Sequence, residues 1–123
     1  MNLSPEVLET LDTVETIEIT TIGRSSGLPR RIEIWMYAVD GRYVITGTPG
    51  PRDWYANVLK EPELTLHLPT GIDVSAVARP VTDAGFRRRV FTADKTWWYR
   101  DQTTVNDLVE NSPMVELALL SRP

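Results

Sequence analysis

The run RIEIWMYAVDGRYVIT, residues 31–46, constrains the fold more than any other part of the chain. Ile32, Ile34, Met36 and Ala38 alternate with Arg31, Glu33, Trp35 and Tyr37, the period of a β-strand. Asp40-Gly41 then supplies the residue pair that suits a two-residue hairpin turn. A chain built around this run needs an antiparallel sheet. The first of its two strands carries large apolar groups on both faces, so it is expected to be central or to line a pocket.

The same alternation recurs along the chain. ETIEITT places Ile17 and Ile19 on one face, ELTLHL and DVSAVARPV read as a further antiparallel pair joined at Thr70-Gly71, and MVELALL reads as the last strand. Helical signals fall between them. Ser4 can cap a first helix with Pro5 and Glu6 in its opening turn and an apolar stripe of Val7, Leu8 and Leu11. DWYANVLKEP reads as a mid-chain helix capped by Asp53, buried through Trp54, Val58 and Leu59, and stopped by Pro62. From Thr82 the pattern is helical and polar, with Phe86 and Val90 beneath a solvated Arg87-Arg88-Arg89 face. KTWWYRD then reads as irregular, and VNDLVEN as a short helix. No βα unit repeats, which argues against a doubly wound sheet. Six strands with short connections predict an antiparallel barrel with helices over its ends.

At 123 residues, one domain spanning 1–123 is expected. The hydrophobic fraction of 41% and charged fraction of 24% are those of a soluble globular chain. No apolar run reaches the roughly 20 residues that span a bilayer. The start, MNLSPEVLETLD, lacks the basic and apolar regions of a signal peptide, so a cytoplasmic location is expected. With no cysteine, disulfides, thiol chemistry and thiolate metal sites are excluded. A net charge of −4 argues against nucleic acid as a partner. Only two of the 13 basic residues are lysines, Lys60 and Lys95, and three arginines crowd into the loop TTIGRSSGLPRR. Such a locally basic site in an acidic chain suits a small anion.

That loop supplies more donors than a turn needs. Gly23 and Gly27 allow left-handed backbone and close approach of N–H groups to a ligand. Arg24, Arg30 and Arg31 can grip a phosphate or carboxylate bidentately, and Ser25 and Ser26 add hydroxyl donors. The other reading is an exposed hairpin whose arginines pair with Glu18 and Glu33. Elsewhere the chain is poor in chemistry. With one histidine, His67, and no local carboxylate–histidine cluster, neither a protein-only nucleophilic triad nor a metal site is expected. An enzyme built this way would rely on an organic cofactor.

The order G-R-S-S-G-x-P-R between strands, a hairpin, then T-G-T-P-G-P-R-D-W-Y-A-N-V-L-K-E-P resembles the deazaflavin-dependent nitroreductase family of the split β-barrel superfamily. The resemblance runs from about Ile19 to Leu68, with an echo in SPMVELALL. It implies an α+β fold, a six-stranded antiparallel split β-barrel with short helices at the N-terminus, mid-chain and before the last strand. It also implies an oxidoreductase using coenzyme F420, with FMN as the alternative and a cofactor-binding barrel without turnover as a third reading. The acceptor would be a quinone, a nitro compound or an activated double bond. Carried over by position, Arg24, Ser25, Ser26, Gly27, Arg30 and Arg31 would meet the coenzyme's phosphate and acidic tail. Trp35 and the segment Thr46, Gly47, Thr48 to Gly50 would lie along its ring. Many relatives have a lysine in a longer Gly-rich stretch before the W-Y-x-N helix. Here Arg52 is the cation that would take its place. Family members place aromatics from the KTWWYR region over the substrate, so Tyr37, Trp97, Trp98 and Tyr99 are the expected substrate pocket. The same rings could instead cap a barrel end or join a homodimer.

Overall fold

The computed structural model describes residues 4–120. Its strands are β1 (Thr16–Ile22), β2 (Pro29–Val39), β3 (Arg42–Thr46), β4 (Glu63–His67), β5 (Asp73–Pro80) and β6 (Met114–Leu119). They close an antiparallel barrel in the order β1-β2-β3-β6-β5-β4. The helices are α1 (Pro5–Thr13), α2 (Asp53–Lys60), α3 (Ala84–Thr92), α4 (Trp97–Arg100) and α5 (Val105–Asn111). No helix among the described residues is long and apolar enough to cross a membrane.

Turn chemistry sets the register. Asp40 and Gly41 both take positive φ, 54° and 75°, so Val39 pairs with Arg42 across a two-residue turn. Inward-facing Ile17, Ile19, Met36, Ile45, Leu66, Ala76 and Val115 fill the barrel, and Val7 and Leu11 of α1 with Trp54 and Val58 of α2 complete that core. A second core lies outside the barrel. There Tyr37 and Val39 of β2, Val44 of β3 and Met114 of β6 pack under Phe86, Val90, Tyr99 and Leu108 of α3, α4 and α5. Strand alternation thus puts apolar side chains on both faces of β2 because both faces are covered along its second half.

The first half of β2 is different. It pairs with β1 from Pro29 to Trp35, whereas β3 reaches only Met36 to Val39. Beyond Thr46 the chain leaves the sheet, so the Pro29–Trp35 edge has no strand beside it among the described residues. Ile32 and Trp35 are partly exposed as a result.

Four local expectations need correction. Leu59 is exposed, and Asn57 rather than Leu59 joins Trp54 and Val58 on the buried face of α2. Arg52, not Asp53, occupies the cap position of α2 and makes no side-chain cap bond, because a guanidinium has no acceptor to offer; Asp53, one residue inside, turns its carboxylate toward Arg24. KTWWYR is helical, a 3₁₀ turn over Asp94–Thr96 running into α4, because Thr96 bonds back to the Val90 and Ala93 carbonyls. Arg87 is buried and donates to the carbonyls of Val81, Val109 and Ser112. Of that arginine run, only Arg88 and Arg89 are exposed, held by Asn106 and Asp40 respectively.

Candidate functional site

The β1–β2 loop is folded by its own backbone and gripped by α2. Gly23 N–H donates to Leu28 O and Gly27 N–H to Gly23 O, both at 2.9 Å. Gly27 sits at φ 71°, where a side chain would be strained. Asp53, Asn57 and Lys60, spaced i, i+4 and i+7, present one helical face to the loop. Asn57 is buried. Its Oδ1 accepts from Arg24 N–H at 3.1 Å and Arg24 Nη1 at 3.0 Å, and its Nδ2 donates to Thr21 Oγ1 at 3.2 Å. Asp53 accepts from Arg24 Nη2 at 3.2 Å, and Lys60 Nζ donates to Arg24 O at 2.7 Å. Arg24 is therefore aimed before any ligand arrives.

Between loop and helix lies a cavity of about 520 Å³, within the range of small-molecule sites. Arg24, Ser25, Ser26 and Arg30 line one side, Ile32 and Trp54 the other. The Arg30 guanidinium and the Ser25 hydroxyl have no hydrogen-bond or ion-pair partner among the described residues. Arg24 has spent only part of its five-donor fork on Asn57 and Asp53.

Gly23 does not take positive φ, contrary to expectation; its role is space. A Cβ there would fall 2.6 Å from Ser26 Oγ and 3.5 Å from Arg30 Nε. Gly23→Ala should therefore displace the Ser26 side chain and press on the Leu28 carbonyl, 3.3 Å away, while only touching Arg30. An anion-binding loop so altered is expected to lose about tenfold in affinity, roughly 1.4 kcal/mol, with near-unchanged circular dichroism. Affinity equal to the parent's would show that the loop's close fit is irrelevant.

The other expected ligand contacts are spread out. Gly27 is at the turn, away from the cavity wall. Arg31 points to the other face of β2 and pairs with Glu18 at 3.0 Å, as the exposed-hairpin reading has it for this one arginine. Arg52 folds back on its own loop, donating through Nη2 to Thr48 O and Thr48 Oγ1 at 3.0 Å each. Gly47 lies under that guanidinium, and Thr46 is buried with its hydroxyl on Pro113 O. None of these four lines the Arg24–Arg30 cavity. The residues not singled out beforehand as site-lining are Thr21, Ile32, Asp53, Trp54 and Asn57. Only strand alternation past Ile19 and the i, i+4 spacing of Asp53 to Asn57 pointed toward them.

The aromatic group forms a layered wall. Trp98 stacks on Tyr99 with centroids 4.0 Å apart and tilts against Trp35 at 5.4 Å. Trp98 Nε1 donates to Tyr37 Oη at 3.1 Å, and Tyr37 Oη–H donates to Tyr99 Oη at 3.2 Å. Tyr37 and Tyr99 are buried in the second core, so they do not line a pocket themselves; they fix Trp98, which does. A helix turns about 100° per residue, which is why three consecutive rings end in three environments.

These phenols hold their protons tightly. Burial raises the pKa of Tyr37 and of Tyr99. Burial and the Asp12 carboxylate, 2.8 Å away, push Tyr43 up to about 12. A phenol whose folded pKa exceeds its unfolded value near 10 contributes stability that is full below pH 10 and is lost as pH rises. The urea midpoint should thus stay level from about pH 8 to 9.5 and fall between about pH 10 and 12. A midpoint that rises through that window would contradict this reading.

His67 is less isolated than the sequence implies. Its Nε2 lies 2.6 Å from Thr20 Oγ1 across β1–β4, and its Nδ1 2.8 Å from Asp73 Oδ1 across β4–β5. Since β4 is paired on both sides, its amides are committed to ladders and leave no N–H pair for an oxyanion. The row ties three strands together.

A family model for F420H(2)-dependent quinone reductases matches residues 1–110. The chain belongs to that family. No curated protein matches the chain. Among solved structures, a conserved hypothetical protein from Mycobacterium tuberculosis superposes with TM-score 0.70 at 16% identity, covering 98% of this chain and 82% of that one. An F420 reductase superposes with TM-score 0.63 at 14% identity over 92% of each chain. A protein of the pyridoxinephosphate oxidase family from Clostridium acetobutylicum gives TM-score 0.69 at 13% identity, covering 93% and 81%. These likenesses establish the split-barrel fold. As an F420H(2)-dependent quinone reductase family member, the chain is an F420-dependent oxidoreductase. Its own residues suit that coenzyme's acidic end: an unpartnered guanidinium, a free hydroxyl and a second guanidinium already aimed, around a glycine with no room for Cβ.

Proposed function

We propose that the Arg24–Arg30 cavity holds the phosphate and acidic tail of coenzyme F420. A small organic acceptor, a quinone, nitro compound or activated double bond, is reduced beside the open half of β2. The observation that carries this reading is the unpartnered Arg30 guanidinium in a cavity whose other arginine is held in place by Asn57 and Asp53. Arg24 and Arg30 bind the anion, Ser25 adds a hydroxyl donor, and Ile32 and Trp54 exclude water from the inner wall. When bound, the reduced coenzyme is the two-electron donor. Trp35, Trp97 and Trp98 supply an apolar surface for the acceptor, with Trp98 held in orientation by Tyr37.

A second reading has its own support. With Arg52 turned onto Thr48, the cavity has two arginines rather than three, which suits the single phosphate of FMN. Titration with F420 and, separately, FMN, followed by tryptophan quenching, distinguishes the two. Saturable F420 binding at micromolar levels followed by turnover of a menadione-type quinone or a nitroaromatic is expected. Binding of FMN alone would move the protein to flavin chemistry. Binding without turnover of any acceptor would make it a carrier.

A further inference from the structure

Three of the four tryptophans meet on the outer wall of the barrel, around a separate cavity of about 520 Å³. Trp35 and Trp97 are 37% and 59% exposed, large values for indoles gathered in one place. The rim of the cavity carries Glu15, Asp94 and Lys95. The Lys95 ammonium is drawn back to Ala38 O at 3.1 Å. The Glu15 and Asp94 carboxylates have no hydrogen-bond or ion-pair partner among the described residues. Glu15 is also close enough for its charge to bear on the Tyr37 phenol behind Trp98.

These features select for one charge sign. The face of an indole is electronegative and attracts cations within about 6 Å of its centroid. A neutral ligand seated on the rings gains nothing from the two exposed carboxylates, and an anion is repelled by both with only Lys95 to offset them. A bare metal ion has too few oxygen ligands here, and no cluster of metal-ligating side chains exists among the described residues. We propose that this cavity binds a small organic cation, a methylated ammonium head lying against Trp35, Trp97 and Trp98 with its charge facing Glu15 and Asp94.

The binding site itself goes beyond the proposed reaction. Its consequence, a preference for acceptors bearing a positive charge, rests on the reading that the acceptor is reduced beside these rings. The test therefore omits the coenzyme. The full chain is titrated at constant ionic strength with choline and with 3,3-dimethyl-1-butanol, which has nearly the same shape without the charge. Choline should quench tryptophan fluorescence saturably, with the neutral alcohol weaker by about tenfold or more. Glu15→Gln should weaken choline about fivefold while leaving the alcohol unchanged, and Trp97→Ala should weaken choline more than the alcohol, which loses only apolar contact. Both side chains are exposed, so the fold should persist, as circular dichroism would verify. Equal affinity for the two ligands, absence of saturation, or choline binding indifferent to both Glu15→Gln and Asp94→Asn would each overturn the proposal. Failure of a parallel F420 titration would bear on the coenzyme cavity alone.

Discussion

Arg87→Met is expected to lower unfolding stability by about 3 kcal/mol and the melting temperature by roughly 10–15 °C. The side chain is only 9% exposed and its guanidinium donates to three backbone carbonyls, those of Val81, Val109 and Ser112. Val81 follows the end of β5, Val109 lies in the last turn of α5 and Ser112 caps that helix, so one side chain fastens α3 to the ends of β5 and α5. Methionine fills much of the volume but leaves three buried acceptors unpaired, each costing about 1–3 kcal/mol. Release of a desolvated charge offsets part of that sum. Burial lowers the pKa of Arg87, yet guanidinium remains charged in any ordinary buffer. Lysine at this position should recover less than half of the loss, because a single ammonium cannot reach three divergent oxygens. A change below about 1 kcal/mol in urea unfolding would mean that water replaces the guanidinium.

Arg87 also marks where sequence reading fails. Phe86 and Val90 correctly announce the buried stripe of α3, and a charged residue beside Phe86 is normally solvated. Nothing local says that three carbonyls will converge on it, because they come from elements 6, 22 and 25 residues away. By contrast, the six strands are legible because their signals are local: period-two alternation, Asp40-Gly41 at the hairpin, and Pro62 after α2. Barrel closure is not local. It depends on β1 meeting β4 and β3 meeting β6, pairings with no turn to announce them.

The site divides along the same line. That the loop carries donors in excess of a turn's needs was legible, because the excess is local; that Arg24, Ser25, Ser26 and Arg30 gather at one cavity was not. Which arginines face inward was not either. Arg30 and Arg31 are neighbours on a strand and must point to opposite faces, so one lines the cavity while the other pairs with Glu18. Asp53 read as a helix cap because Asp before an apolar run usually is one. Its carboxylate instead meets Arg24, from a loop 29 residues earlier.

Arg24→Ala with Arg30→Ala is expected to weaken F420 binding about a hundredfold, while unfolding stability moves by less than about 1 kcal/mol. Hydrogen bonds to charged groups contribute about 1.5–3 kcal/mol each, and tenfold in affinity is about 1.4 kcal/mol. Two arginines at the lower figure give the hundredfold; exposure of the cavity mouth and the Asp53 carboxylate argue for the lower figure. The single variants should differ. The Arg30 guanidinium has no partner among the described residues, so its loss falls on the ligand. Arg24 already shares its charge with Asp53, and Asn57 keeps the loop backbone through Arg24 N–H when the side chain is removed. Arg30→Ala should therefore cost more affinity than Arg24→Ala. By the same reasoning Asp53→Asn should tighten binding severalfold, since it removes a negative charge 3.2 Å from a guanidinium that the anion would otherwise share. Unchanged affinity in the folded double variant would detach the coenzyme from this loop altogether. Weaker binding in Asp53→Asn would mean that its carboxylate matters for aiming Arg24 more than it repels the ligand.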